Sequence, residues 1–112
     1  MTICEAGDVV VVPFPFSDLP VAKPRPAVVL SARAANAAGG TTLLAMITTA
    51  SGGIRADDTP LADLAAAGLK TPSLLRLKLF TIDNRLIARQ IGQLSPADRK
   101  AARWAVSAFI AI

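Results

Sequence analysis

Between residues 7 and 31 the chain reads GDVVVVPFPFSDLPVAKPRPAVVLS, two apolar runs around a polar, proline-bearing connection. The runs, Val9–Phe16 and Ala27–Leu30, are short and rich in Val and Phe, which suits strands buried on both faces better than helices. Pro13 and Pro15 cannot donate ladder hydrogen bonds, so the second half of the first strand is expected at a sheet edge or outside the sheet. Thr42–Thr49 repeats the apolar pattern as a third strand and turns polar at its end. Further on, Leu75, Leu77 and Leu79 alternate with Arg76 and Lys78, which predicts a strand with one apolar and one basic face. Asp83-Asn84 reads as a hairpin turn into a strand over Leu86–Ile91.

Small and polar residues separate these runs. Ser31–Gly40 ends in two glycines and reads as a surface connection, as does Ser51-Gly52-Gly53. Thr59-Pro60 has the form of an N-cap followed by proline, which predicts a short helix over Pro60–Ala67 stopped by Gly68. Ser95, with Pro96 next and Asp98 in the first turn, caps a final helix. Ala102, Val106, Phe109 and Ile110 would form its apolar face. Five or more short strands and one C-terminal helix give a mainly β (α+β) chain, expected as a small barrel closed by that helix.

Composition narrows this picture. A chain of 112 residues is expected to form one domain, 1–112, and 53% hydrophobic content exceeds what so small a core hides. The surplus predicts an apolar surface that faces a partner. No apolar run approaches the ~18 residues that cross a bilayer, and no export signal opens the chain, so no membrane is implied. The single cysteine, Cys4, forbids an internal disulfide and fits a reducing cytoplasm. One cysteine and no histidine argue against a zinc site, and no cofactor is implied. Seven of the twelve Lys and Arg residues fall between Arg76 and Arg103, against Asp83 and Asp98 only. That charge fits a polyanion partner and an ordinary basic surface equally well.

Few routes to catalysis remain. Without histidine, nucleophile–histidine pairs are excluded, and neither glycine pair has the lysine or strand–helix context of a phosphate loop. What is left is arginines, hydroxyls and a few carboxylates. Such a set can act on RNA, whose own 2′-hydroxyl is a nucleophile, if a guanidinium clamps the phosphate through two parallel hydrogen bonds. Arg25 is the leading candidate: Pro24 and Pro26 bracket it, which stiffens its backbone. Asp18 and Lys23 share its connection. Asp18 would serve as a base or simply bond its own turn backbone.

The ordered set Gly7-Asp8-Val9, Val12-Pro13-Phe14, Arg25–Ser31, Met46-Ile47-Thr48-Thr49, Thr71-Pro72-Ser73 with Leu75-Arg76, Thr81-Ile82-Asp83 and Ile91–Ser95 resembles the PemK/MazF toxins of type II toxin–antitoxin systems. The resemblance covers nearly the whole chain. It implies an SH3-like barrel of the CcdB/PemK type, a homodimer, an endoribonuclease that cuts single-stranded mRNA, and a cognate antitoxin. It also implies that Arg25 and Thr48 are catalytic, with Thr49 almost equivalent by chemistry, and that Arg76 matches a family arginine. Thr49, Arg76 and Lys78 are expected in the substrate path, with Asp18 and Lys23. Some members carry Arg-x-Asp where this chain has Arg76-Leu77-Lys78, so their acid is absent here. Two other readings stand beside the nuclease: a CcdB-like gyrase poison without catalysis, and a degenerate paralogue that binds RNA without cutting.

Overall fold

The computed structural model describes residues 2–14 and 23–112. Pro15, Phe16 and Asp18 therefore lie outside the described residues. Among the described residues, six strands form one antiparallel sheet: β1 (Asp8–Phe14), β2 (Lys23–Val29), β3 (Thr41–Thr49), β4 (Thr59–Pro60), β5 (Ser73–Asp83) and β6 (Arg89–Gln93). Their spatial order is β4-β5-β3-β2-β1-β6, and the sheet curls into a half-barrel. Among the described residues, three α-helices, α1 (Arg33–Gly39), α2 (Leu64–Ala67) and α3 (Pro96–Phe109), accompany the sheet. The expectation of a mainly β chain with a C-terminal helix holds.

Both faces of the sheet are apolar, which is why its strands read as continuous hydrophobic runs. On one face Val9, Val28, Ala45, Ile47 and Leu75 pack with Ala67 and Ala102 of the covering helices. On the other, Val10, Val12, Ala27, Val29, Leu44 and Ile82 pack with Cys4. Leu77 and Leu79 join the first cluster, so the alternation along β5 was correctly read. Pro13 lies beyond the last rung to β6, Val11–Arg89, and so meets an open edge on that side, as expected.

Four local expectations are corrected. Residues 33–39 of the supposed surface connection are helical, ended by Gly40 in the left-handed region at φ 75°. Alanine-rich sequence favours that helix, and Asn36 anchors it from within by donating to the Cys4 carbonyl at 2.9 Å. Thr59-Pro60 is an edge strand against Leu75 and Leu74, not a helix start. The helix begins at Leu64, where the Asp63 side chain accepts from the Ala66 amide. Asp83-Asn84 does not fold a hairpin: a 3₁₀ turn spans Asn84–Leu86, and β6 crosses to pair with β1.

Helix α3 begins where Ser95, Pro96 and Asp98 predicted, with the Ser95 hydroxyl accepting from the Asp98 amide. The buried Asp98 carboxylate does more than suit the helix dipole. It accepts from the Ala62 and Asp63 amides at 2.9 Å each and so ties the approach to α2 onto α3. The apolar face of α3 runs out toward its end: Ala102 is buried, but Phe109 and Ile110 are exposed. Trp104, on the same helix, is 79% exposed. No helix among the described residues is long and apolar enough to cross a membrane.

Candidate functional site

Strands β1 and β2 run antiparallel with Val12 opposite Arg25 and Phe14 opposite Lys23. Strand β3 lies on the other side of β2, paired through Ala27–Met46, Val28–Ala45 and Val29–Leu44. Beyond Ala27 the rungs between the two strands stop, and both strands line a cavity of about 550 Å³. Lys23 and Arg25 line it from β2, and Met46, Thr48 and Thr49 from β3. Phe14, Pro26, Ile47, Leu69, Thr71 and Ser73 complete its lining. Four of the sequence-predicted residues, Lys23, Arg25, Thr48 and Thr49, thus share one recess.

Its chemistry is that of a cationic cleft with hydroxyl walls. Arg25 is exposed, so its planar fork of donors is presented to solvent beside the recess. Thr48 is half-buried, and the Thr49 hydroxyl lies 3.1 Å from that of Ser51. A guanidinium, an ammonium and hydroxyls around one recess suit an anion, above all a phosphodiester.

Arg76 and Lys78 are engaged elsewhere. Arg76 reaches Asp58 through two hydrogen bonds, Nε to Oδ1 at 3.0 Å and a terminal nitrogen to Oδ2 at 2.8 Å. The same terminal nitrogen donates to the Gly53 carbonyl at 3.3 Å. The Asp58 side chain is fully enclosed, and the Arg76 hydrogen bonds hold its carboxyl below the usual carboxylate range despite the opposing effect of burial. Arg76 therefore fastens the segment that follows Thr49 and does not line the cavity. Lys78 sits with Nζ 5.3 Å from the centroid of the Phe14 ring, a cation–π approach at the cavity rim. Phe14 in turn packs on Phe80, with ring centroids 5.9 Å apart. Asp18 lies outside the described residues.

Sequence reasoning did not find Asp58. Its pairing with Arg76 joins residues from separate elements, and no local pattern signals that. Phe14 was read as a strand residue and as part of the resemblance, not as a wall of the site. Its signal was the position directly opposite Lys23, which depends on strand register. Among the described residues, no three histidine, cysteine or acidic side chains gather as a metal-binding group.

A family model for the PemK-like, MazF-like toxin of type II toxin–antitoxin systems matches residues 5–110. Comparison with curated protein sequences finds no match. Among solved structures, MazF from Deinococcus radiodurans is 25% identical, with a TM-score of 0.73 and 97% of each chain covered. A MazE–MazF crystal structure from the same organism superposes with a TM-score of 0.75 at 19% identity, covering 96% of both chains. An endoribonuclease in complex with its cognate antitoxin, from a Mycobacterial species, gives 0.72 at 14% identity over 96% of this chain and 93% of that one.

Proposed function

Because the chain belongs to the PemK-like, MazF-like toxins of type II toxin–antitoxin systems, we propose that it is a sequence-selective, metal-independent endoribonuclease acting on single-stranded mRNA in the cytoplasm. The observation that carries this reading is the cavity shared by Arg25 and Thr48. Arg25 clamps the scissile phosphate, spreading two hydrogen bonds over oxygens that gain charge in the transition state. Thr48 donates a third hydrogen bond or holds the clamp in place. The RNA 2′-hydroxyl gives up its proton as its oxygen bonds to phosphorus, and the bond from phosphorus to the 5′-oxygen breaks as that oxygen takes a proton from solvent. A 2′,3′-cyclic phosphate and a 5′-hydroxyl result. Lys23, Thr49 and Lys78 steer the strand, and Asp18 is the candidate base.

Arg76 was expected in the substrate path as well. Its bidentate pairing with Asp58 supports a different contribution, holding the segment beside Thr49. The protein works as a homodimer, a reading supported by exposed large apolar residues such as Trp104, Phe109 and Ile110. An acidic segment of a cognate antitoxin covers the cationic cleft and restrains it.

The test is incubation of the purified protein with a long RNA, with and without a chelator. Discrete cuts that persist with chelator, and that vanish when the nucleotide at the cut carries a 2′-deoxy sugar, are the expected result. Cutting that stops with chelator, or survives deoxy substitution, would overturn the mechanism. A paralogue that binds RNA without cutting draws on Lys78, which stands where some relatives carry an acid. Retention of RNA without products in the same assay would establish that alternative.

A further inference from the structure

The hydrogen-bonded ladder between β2 and β3 stops at Ala27–Met46, and the reason lies in which way their amides point. The Leu30 amide donates to the Leu43 carbonyl of the neighbouring strand at 2.8 Å. Amides alternate sides along a strand, so positions 28, 26 and 24 aim at β3 as well. Two of those positions are Pro26 and Pro24, which have no N–H. Continued past Ala27–Met46, the register would set Pro26 against Ile47 and Arg25 against Thr48. In an antiparallel ladder, a donor at position 26 would serve both of those rungs. Neither rung is present.

Ordinary fraying does not explain the gap. Over the same stretch β2 stays paired with β1 as far as Phe14–Lys23, and β3 stays paired with β5 as far as Thr49–Ser73. Each strand is held by its outer neighbour while the inner seam carries no rungs. The gap is therefore a property of the seam.

We propose that Pro26, seconded by Pro24, is a positioning residue that keeps this seam open, so that Arg25 and Thr48 stand as opposite walls of a cleft. This rests on the reading of the cleft as an RNA-cleaving site. With an amide at position 26, the Ile47 carbonyl would gain a ladder partner, the rung would close, and Arg25 would move to within strand-pairing distance of Thr48. The space for a phosphodiester between them would shrink.

The test replaces one atom group. Pro26→Ala supplies the missing N–H, and alanine is compatible with a strand. Exchange of the new amide at position 26, followed by NMR, reports whether the rung forms. Cleavage of single-stranded RNA reports the consequence. The expected result is a protected amide at that position with a cross-strand contact to Ile47 and a fall in cleavage of about tenfold, the population shift that roughly one net backbone hydrogen bond supplies. N-methylalanine at position 26, introduced by chemical assembly of the chain, has no N–H and should restore cleavage. A new amide that exchanges as freely as a loop amide would overturn the proposal. So would a protected amide with cleavage unchanged, or a loss that N-methylalanine does not rescue. Because amide exchange needs no RNA, a wild-type protein that cuts no RNA would defeat the nuclease reading, while exchange in Pro26→Ala would still decide whether proline holds the seam.

Discussion

Arg76 grips Asp58 by both carboxylate oxygens, one from Nε and one from a terminal nitrogen, and so fastens the 53–58 segment to β5. Asp58 Oδ2 also accepts from the Arg55 amide at 2.7 Å, which folds the segment back on itself. The Asp58 carboxyl is lowered first by its hydrogen bonds from Arg76, so its contribution to stability has a definite pH sense. It is fully present above the ordinary carboxylate pKa of roughly 4 and is lost as pH falls through the lowered value. Amide protection over residues 50–58, measured against the intrinsic exchange rate at each pH, should therefore fall selectively in acid. Asp58→Asn should flatten that pH dependence, and Arg76→Ala should accelerate exchange in the same segment at neutral pH. If Arg76→Ala leaves the segment as protected as before, the grip has no structural weight.

Arg25→Ala should lower the cleavage rate ~100-fold or more, by analogy with removal of an oxyanion donor used most strongly in the transition state. Arg25→Lys should recover little of it, because a point charge does not reproduce the planar fork. Thermal unfolding should be nearly unchanged in both, since Arg25 is exposed. Single-turnover rates would check the first expectation. A normal rate for Arg25→Ala would remove this residue from the reaction.

Thr48→Val removes one hydroxyl at nearly constant volume from a half-buried position on β3. Valine is as favourable as threonine in a strand, so the fold should persist. Cleavage should fall ~10-fold, the scale of one lost hydrogen bond to a charged group. The same substitution at Thr49 measures how far the two hydroxyls are interchangeable. Equal losses at both positions would contradict the choice of Thr48.

Gly92 supplies a test of the scaffold. A Cβ on Gly92 would lie 2.5 Å from the Ala66 carbonyl oxygen, a backbone atom of α2. Nothing there gives way cheaply, so Gly92→Ala should destabilise the protein by ~3 kcal/mol, at the upper end for overpacking. Gly68 meets β6 from the opposite side, at φ 73° and with a Cβ position 2.0 Å from the Ile91 carbonyl oxygen. Chemical denaturation would measure the Gly92 effect. A loss well under ~1 kcal/mol would show that α2 can lift away from β6.

What the sequence made legible follows from which interactions are local. Strands β1, β2 and β3 announced themselves as buried β-branched runs, and α3 by the Ser95, Pro96 and Asp98 signature at its start. Helix α1 was hidden because its alanines and final glycines suit a loop composition as well as a helix. The left-handed Gly40 and the buried Asn36 were the distinguishing signs. Thr59-Pro60 misled because proline suits both a helix start and an edge strand. The pairing of β6 with β1 joins Asp8 to Gln93, a long-range choice that no neighbouring residue encodes. In the site, Arg25 and Thr48 were reachable from the resemblance. Their place on opposite walls of one cleft depended on β2–β3 register, and Asp58 as the partner of Arg76 depended on tertiary structure alone.

Trp104 is the chain's one tryptophan, there is no tyrosine, and its ring stands in water on α3. Intrinsic emission excited at long wavelength therefore comes from a single known place. A single protomer with α3 uncovered should emit almost as far to the red as the denatured chain, so in that state the signal is a poor gauge of unfolding. It becomes instead a site-specific beacon. Any partner, including a second copy of the chain, that covers α3 will shift the emission to the blue, whereas a ligand confined to the Arg25 cleft will leave the colour untouched. One spectrum can thus tell the two surfaces apart without a label.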